Sequence, residues 1–293
     1  MIKFTIFTPL YNRANLLRRL YDSLILEEEI SYEWIIVDDG SKDNAKEVVG
    51  QLIKEGKATI KYIFQENRGK HIAINRGITE ASGELFWIVD SDDFLPAHAM
   101  QTVYQKYLEV KHIPNIAVIS GRRNFFDGKI VGTHFENDML STMVDYRFKL
   151  KMKGDLAEVV VTEVLKNFKF PEIPEEKFCS ESLLWNRLSR NHLMLFFNKG
   201  VYTTEYLPGG LTDNIIKIRM KSPVYSMMAY SERLYFDIPW DEQIKASANF
   251  WRFSFNSKMP FLEKTKMISF LPSLIGLPLG FAMYMRDKFI LKL

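Results

Sequence analysis

Short apolar runs alternate with helix-period segments along the first half of this chain, and that alternation restricts the fold more than any other feature. Residues 3–8, Trp34-Ile35-Ile36-Val37, residues 60–64, Leu85-Phe86-Trp87-Ile88-Val89 and residues 116–120 read as strands. Between them, residues 15–26, 42–55, 71–81 and 97–111 place apolar side chains at helical spacing, as with Leu16, Leu17, Leu20 and Leu24. Asp43 or Asn44 offers an N-cap, Ser82-Gly83 closes one helix and Pro114 stops another. Strands this apolar are covered on both faces, and strand-helix-strand order joins parallel neighbours. The expected fold class is α/β, a mostly parallel sheet flanked by helices.

Sheets of this kind bind ligands outside the carboxyl ends of their strands. Three polar clusters follow strand ends here: Thr8-Pro9-Leu10-Tyr11-Asn12-Arg13, Asp38-Asp39-Gly40-Ser41 and Asp90-Ser91-Asp92-Asp93. The last sets three carboxylates in four residues. They repel one another and are costly to desolvate, so a cation belongs between them. A hard divalent cation carrying a nucleoside diphosphate fits best. The plainer reading is a solvated turn, and for each cluster alone the plainer reading competes. Tyr11 could stack beside a nucleobase, or Asn12 could simply cap a helix. Asp38 and Asp39 could accept from a base or ribose, or cap the next helix. Lys70, in Asn67-Arg68-Gly69-Lys70-His71, could meet phosphate at a helix start, or lie on a basic turn. Convergence of three strand ends favours a ligand site.

Composition narrows the function. A hydrophobic share of 47% over 293 residues allows a sizeable core. A net charge of +3 without a dense basic tract argues against nucleic acid as a partner. The single cysteine, Cys179, allows no intramolecular disulfide, which fits a reducing, cytoplasmic setting, and it is a poor candidate nucleophile. Five scattered histidines give no structural zinc pattern. Residues 1–7 run straight into a strand pattern with no signal peptide.

After Asn124 the pattern changes. Asp127-Gly128 suggests a hairpin, residues 137–177 read as irregular or lid-like, and residues 180–190 as a helix. Residues 195–206 are strand-like but interrupted at Asn198-Lys199-Gly200, and Pro208-Gly209-Gly210-Leu211-Thr212 reads as a loop. Residues 224–236 and 241–256 read as helices. Glu181 falls in a first helical turn, where the dipole favours the ionised carboxylate that a general base needs. Residues 267–285 carry no charge and could span a bilayer in length, but Pro272, Gly276, Pro278 and Gly280 break the run, with Lys264, Lys266, Arg286, Lys288 and Lys292 on the flanks. Interfacial or shallow re-entrant attachment to a membrane is preferred over a packed helical core or dimer surface, and over a single span. Lys217, Arg219 and Lys221 read as a solvated basic face or as contacts to a lipid carrier's phosphates.

In order and spacing, the motifs at residues 8–13, 37–41, 67–77, 81–84 and 90–93, with the Glu181 helix, resemble the family-2 inverting glycosyltransferases of GT-A fold, of the bacterial cell-surface polysaccharide type. The resemblance covers residues 3–215. It implies a glycosyltransferase domain over residues 1–215 and a helical, membrane-associating extension over 216–293. It implies that Pro9, Tyr11 and Asp39 contact the nucleobase, and that Arg13, Lys70, Asn75, Asp90 and Ser91 belong to the nucleotide-sugar site. Asp92, with Asp90, would hold Mn2+ or Mg2+, and Glu181 would be the catalytic base. The implied donor is a UDP-hexose or UDP-N-acetylhexosamine, and the implied acceptor a saccharide, lipid-linked, at the inner face of the cytoplasmic membrane. An oligomer is allowed. The chain departs from the family pattern in having Ser180-Glu181 where an acidic pair is usual and Ala73-Ile74-Asn75 where an arginine precedes the asparagine, which leaves the diphosphate contact to Lys70 or Arg76. It lacks the Gln-x-x-Arg-Trp of processive synthases, so a processive polymerase is disfavoured. A sugar-phosphate nucleotidyltransferase is the competing enzyme reading, but residues 8–15 lack its Gly-rich basic loop; a non-catalytic carbohydrate- or partner-binding module is the other.

Overall fold

The computed structural model describes residues 2–27, 29–205 and 214–291. They fall into two compact bodies. A sheet body comprises Met1–Thr142, Met152–Lys169 and Asn191–Tyr206, and a helical body comprises Met143–Lys151, Phe170–Arg190 and Leu207–Leu293. Two earlier segments, one carrying the Glu181 helix, belong to the helical body. The loop expected at residues 208–212 and the flanking Lys292 lie outside the described residues.

In the sheet body the strands are β1 (Phe4–Leu10), β2 (Tyr32–Asp39), β3 (Ile60–Gln65), β4 (Leu85–Ile88), β5 (Ile116–Asn124), β6 (Met139–Ser141), β7 (Leu156–Val161) and β8 (Leu193–Thr203). Their order is β3-β2-β1-β4-β7-β5-β8-β6. The β3-β2-β1-β4 half is wholly parallel. β5 and β8 are also parallel, while β7 runs antiparallel to β4 and β5, and β6 to β8. The helices are α1 (Leu17–Leu24), α2 (Ala45–Glu55), α3 (Lys70–Glu80), α4 (Ala99–Val110) and the short α5 (Thr162–Leu165). Phe4, Trp34 and Trp87 are fully buried, and α1 adds Leu17, Leu20, Tyr21 and Leu24 to the same core. Each such side chain contributes roughly 1.5–3 kcal/mol through burial. The Asp127-Gly128 hairpin is present, with Asn124 bridged to Ile130.

Two expectations are corrected. Residues 137–177 are not simply irregular: Leu156-Ala157-Glu158-Val159-Val160-Val161 forms β7, in the middle of the sheet. Nor does Asn198-Lys199-Gly200 interrupt β8. Between Ser120↔Phe196 and Arg122↔Gly200 the register shifts, so a bulge absorbs the polar triplet and the strand continues.

The helical body contains α6 (Ser182–Leu188), α7 (Ile215–Lys221), α8 (Pro223–Arg233), α9 (Trp240–Ser254), α10 (Phe261–Lys266) and α11 (Phe270–Leu291). The proline and glycine residues of 267–285 do not break this last helix. Pro272 lies in its first turn, where the missing N–H costs no hydrogen bond, and Pro278 sits on the exposed side. Gly276 and Gly280 let α11 lie close against α9. A Cβ at Gly276 would stand 2.2 Å from Ser247 Oγ, and one at Gly280 would stand 2.5 Å from the Ala248 carbonyl oxygen. Among the described residues no helix is long and apolar enough to cross a membrane.

Candidate active site

The parallel pairing brings the ends of β1, β2 and β4 to one sheet edge. Leu10 lies opposite Asp38, and β4 stops level with Phe7, so the chain turns through residues 89–93 beside β1. Thr8 secures that turn: its hydroxyl donates to the Val89 carbonyl (2.8 Å) and accepts from the Trp34 indole N–H (2.9 Å).

The loops after β1 and β2 are stitched together. Asn12 N–H donates to Ser41 Oγ (2.9 Å), Asn12 Oδ1 accepts from Lys42 N–H (2.7 Å), and Asp43 accepts from Ala14 N–H (2.9 Å). Gly40 turns with φ +80°, and a Cβ there would lie 2.8 Å from the Asn67 amide nitrogen, so both its conformation and its neighbour demand glycine. Asp39 is buried and its carboxylate accepts from the Gln65 side chain (2.8 Å), Arg68 N–H (2.9 Å) and Gly69 N–H (2.8 Å). It thereby orders the entry to α3, with capacity for one further donor. Asp38 accepts from Ser41 N–H (2.7 Å) and the Tyr62 hydroxyl (2.6 Å). Burial and that carboxylate push the Tyr62 hydroxyl well above its usual range. Tyr11 is exposed beside this floor, with Pro9 half-buried.

At the tetrad, each outward carboxylate has a cationic partner from another element. Lys70, at the start of α3, reaches Asp90 Oδ1 (2.7 Å), and Arg13 pairs with Asp92. Burial opposes ionisation of Asp90, yet the Lys70 ammonium holds its carboxyl below the ordinary range. Ser91 is buried within the turn, and Arg19 of α1 donates to the Asp92 carbonyl oxygen. Asp93 points the other way. It accepts from the Tyr202 hydroxyl (2.7 Å), which itself accepts from Asp90 N–H (3.0 Å). The Arg123 guanidinium stacks 4.1 Å from the centre of the Tyr202 ring and stands 3.7 Å from Asp93. Burial, reinforced by Asp90, raises the Asp93 carboxyl to about 6.

Of the residues expected at the site, the structure brings Arg13, Lys70, Asp90 and Asp92 into direct pairing. Asn75 is buried within α3. Arg76, weighed as a diphosphate contact, is exposed and pairs with Glu80 (2.7 Å). Glu181 belongs to the helical body, immediately before α6, where its carbonyl accepts from Trp185 N–H (3.2 Å). Cys179 is buried, and burial pushes its thiol up to about 12. Sequence reasoning missed Arg19, Arg123 and Tyr202. An arginine pair, Arg122-Arg123, after the apolar start of β5 was the available signal.

Among the described residues no group of three or more His, Cys, Asp and Glu side chains is placed to hold a metal ion. What the protein offers is a pair of carboxylates, Asp90 and Asp92, with Lys70 and Arg13 standing where positive charge is required. Hard oxygen ligands from one or two carboxylates suit Mg2+ or Mn2+ when phosphate oxygens complete the shell.

Residues 5–155 match the model of glycosyl transferase family 2. The chain is 30% identical over 191 residues to the GalNAc(5)-diNAcBac-PP-undecaprenol beta-1,3-glucosyltransferase of Campylobacter jejuni, covering 64% of this chain and 60% of that protein. It spans only 33% and 15% of two other relatives that it matches over about a hundred residues. The fold is shared with S. aureus TarS, with a TM-score of 0.67 at 17% identity, covering 100% of this chain and 92% of that one. It is also shared with the mannosyltransferase PcManGT of Pyrobaculum calidifontis, in complex with GDP-Man and Mn2+, with a TM-score of 0.57 at 14% identity, covering 98% and 88%.

Proposed function

The chain belongs to glycosyl transferase family 2 and is a glycosyltransferase, and from that premise we propose that it moves a hexose or N-acetylhexosamine from a UDP-sugar to a lipid-linked saccharide, with inversion and with the aid of Mn2+ or Mg2+. The observation that carries this reading is the meeting of three strand ends at one sheet edge, where Asp90 and Asp92 are each matched by a cation. Tyr11 and Pro9 flank the base, Asp39 orders the loop beneath it, and Lys70 and Arg13 meet the diphosphate. Asp92 and Asp90 would hold the divalent cation, which would supply positive charge against that of the departing diphosphate. Glu181 takes the proton from the acceptor hydroxyl, and a single displacement with one base inverts the anomeric configuration. Assigning Glu181 as the base rests on its motif and its place at a helix start.

The acceptor class rests on the name of the Campylobacter relative, an undecaprenol-linked glycan glucosyltransferase. It is supported by α11, which exposes Phe270, Leu271, Leu274, Ile275, Leu279 and Phe281. An apolar helix face with Lys266, Arg286 and Lys288 close by suits the cytoplasmic membrane surface.

The test is thermal unfolding with a panel of nucleotide-sugars, with and without Mn2+. A ligand at about a hundred times its Kd adds roughly 2.7 kcal/mol to stability. One donor should raise Tm only when Mn2+ is present, and a panel without effect under either condition overturns the reading.

A further inference from the structure

The carboxylates proposed to take the metal are already neutralised by the protein. Arg13 follows β1, Lys70 opens α3, and the acids they pair with follow β4, so each ion pair joins elements distant in the chain. Both pairs face solvent in part: the side chains of Arg13 and Asp92 are 36% and 15% exposed, those of Lys70 and Asp90 32% and 28%. Neither guanidinium nor ammonium readily sheds its proton, so a cation displaced from its carboxylate needs another anion. The diphosphate brings one.

We propose that binding of metal and nucleoside diphosphate is an exchange of ion pairs, in which Arg13 and Lys70 release Asp92 and Asp90 to the metal and take up the diphosphate oxygens. This deepens the donor reading above and rests on it. Every charge has a partner before and after the exchange, whereas either ligand alone leaves one set unmatched. Metal and nucleotide therefore each strengthen the other's binding, and the coupling is reciprocal. The turn itself need not reorganise. Arg19 holds the Asp92 carbonyl, and Tyr202 holds Asp90 N–H and Asp93, independently of Arg13.

The proposal gives Arg13→Gln effects of opposite sign on the two ligands. Mn2+ binding without nucleotide, measured by electron paramagnetic resonance of the free ion, should tighten by about tenfold, within the usual range of site-site coupling. Binding of nucleoside diphosphate at saturating Mn2+, measured calorimetrically with UDP, GDP, CDP and dTDP, should weaken by a similar factor. Lys70→Gln should act in the same directions, and it serves as the second variant if Arg13→Gln lowers Tm. A purely structural role for Arg13 predicts weaker binding of both ligands, and unchanged or weaker Mn2+ binding in both variants overturns the exchange. Failure of the underlying reading looks different: wild-type protein would then show no Mn2+-linked binding of any of the four nucleotides, and the exchange would fall with it.

Discussion

At the strand edge of the sheet body, Asp90 and Asp92 pair with Lys70 and Arg13 through side chains 15–36% exposed. Between α9 and α11 in the helical body, Asp287 pairs with Arg252 at 2.5 Å through side chains only 3% and 8% exposed. Each set joins an aspartate to a basic side chain, but Asp287 and Arg252 are closed to water, and only a second partner of Asp287, Arg286 at 3.0 Å, lies exposed. A pair that water reaches is worth little, about 0–1 kcal/mol at full exposure, and can trade partners with an incoming ligand. A buried pair cannot trade, because removing either member leaves a charge stranded in the interior. The first arrangement is suited to binding and the second to joining two helices.

The largest effect expected lies with a third carboxylate, which belongs to neither set. Glu181→Gln should keep donor binding and lose about 10²–10⁴ in transfer rate, the usual scale for removal of a general base. Single-turnover transfer to a saccharide acceptor, alongside calorimetric donor affinity, measures both. A transfer rate close to wild type would move the base elsewhere and leave the helical body without a chemical role.

Asp92→Ala and Asp287→Ala test the contrast itself. The first should weaken Mn2+-linked nucleotide binding at least about a hundredfold, since even residues one shell out from a metal cost up to that much. Its unfolding free energy should stay within about 1 kcal/mol of wild type. The second should lose about 3–5 kcal/mol of stability. Urea unfolding of both variants decides the matter, and equal losses would erase the distinction drawn between exchangeable and fixed pairs.

The two bodies also differ in what they leave open to solvent. The strand edge offers charge, whereas α11 offers leucine, isoleucine and phenylalanine. Leu274 and Ile275 are 59% and 43% exposed, so glutamates there should leave the fold intact. Against vesicles rich in phosphatidylglycerol, Leu274→Glu/Ile275→Glu should reduce partitioning by at least about a hundredfold, from the loss of roughly 1.5–3 kcal/mol at each apolar position. Wild-type protein that stays in the supernatant would remove membrane attachment from the proposal.

The parallel half of the sheet was legible because each strand is a continuous apolar run ending in a polar cluster. That pattern also placed Asp38, Asp39 and Asp90 through Asp93 at strand ends. β7 was not legible as the strand joining the halves. Its apolar run lies beyond a hairpin and irregular chain, and nothing local tells that it inserts between β4 and β5. The terminal helix was misjudged because Gly276 and Gly280 look like breaks until α9 is seen against them. Arg13 was expected to touch the donor, but its pairing with Asp92 depends on a register between β1 and β4 that no local pattern reveals.

Tyr202 is the clearest case of a role hidden from sequence, and it yields the smallest effect. A tyrosine in the buried strand β8 reads as core. Its hydroxyl, however, accepts from Asp90 N–H and donates to Asp93, joining the two ends of the tetrad. Tyr202→Phe keeps the ring and its stacking with Arg123 but leaves both groups without that partner. The unsatisfied buried groups should cost about 1–3 kcal/mol in stability. If Tyr202 positions the carboxylates, Mn2+-linked nucleotide affinity should also fall by about tenfold, as when an outer partner of a metal ligand is removed. Transfer at saturating donor should then be largely kept, because Tyr202 touches no reacting atom. A variant that loses stability yet binds nucleotide as wild type would make Tyr202 a core residue only, and the exposed pairs would hold the tetrad's geometry without it.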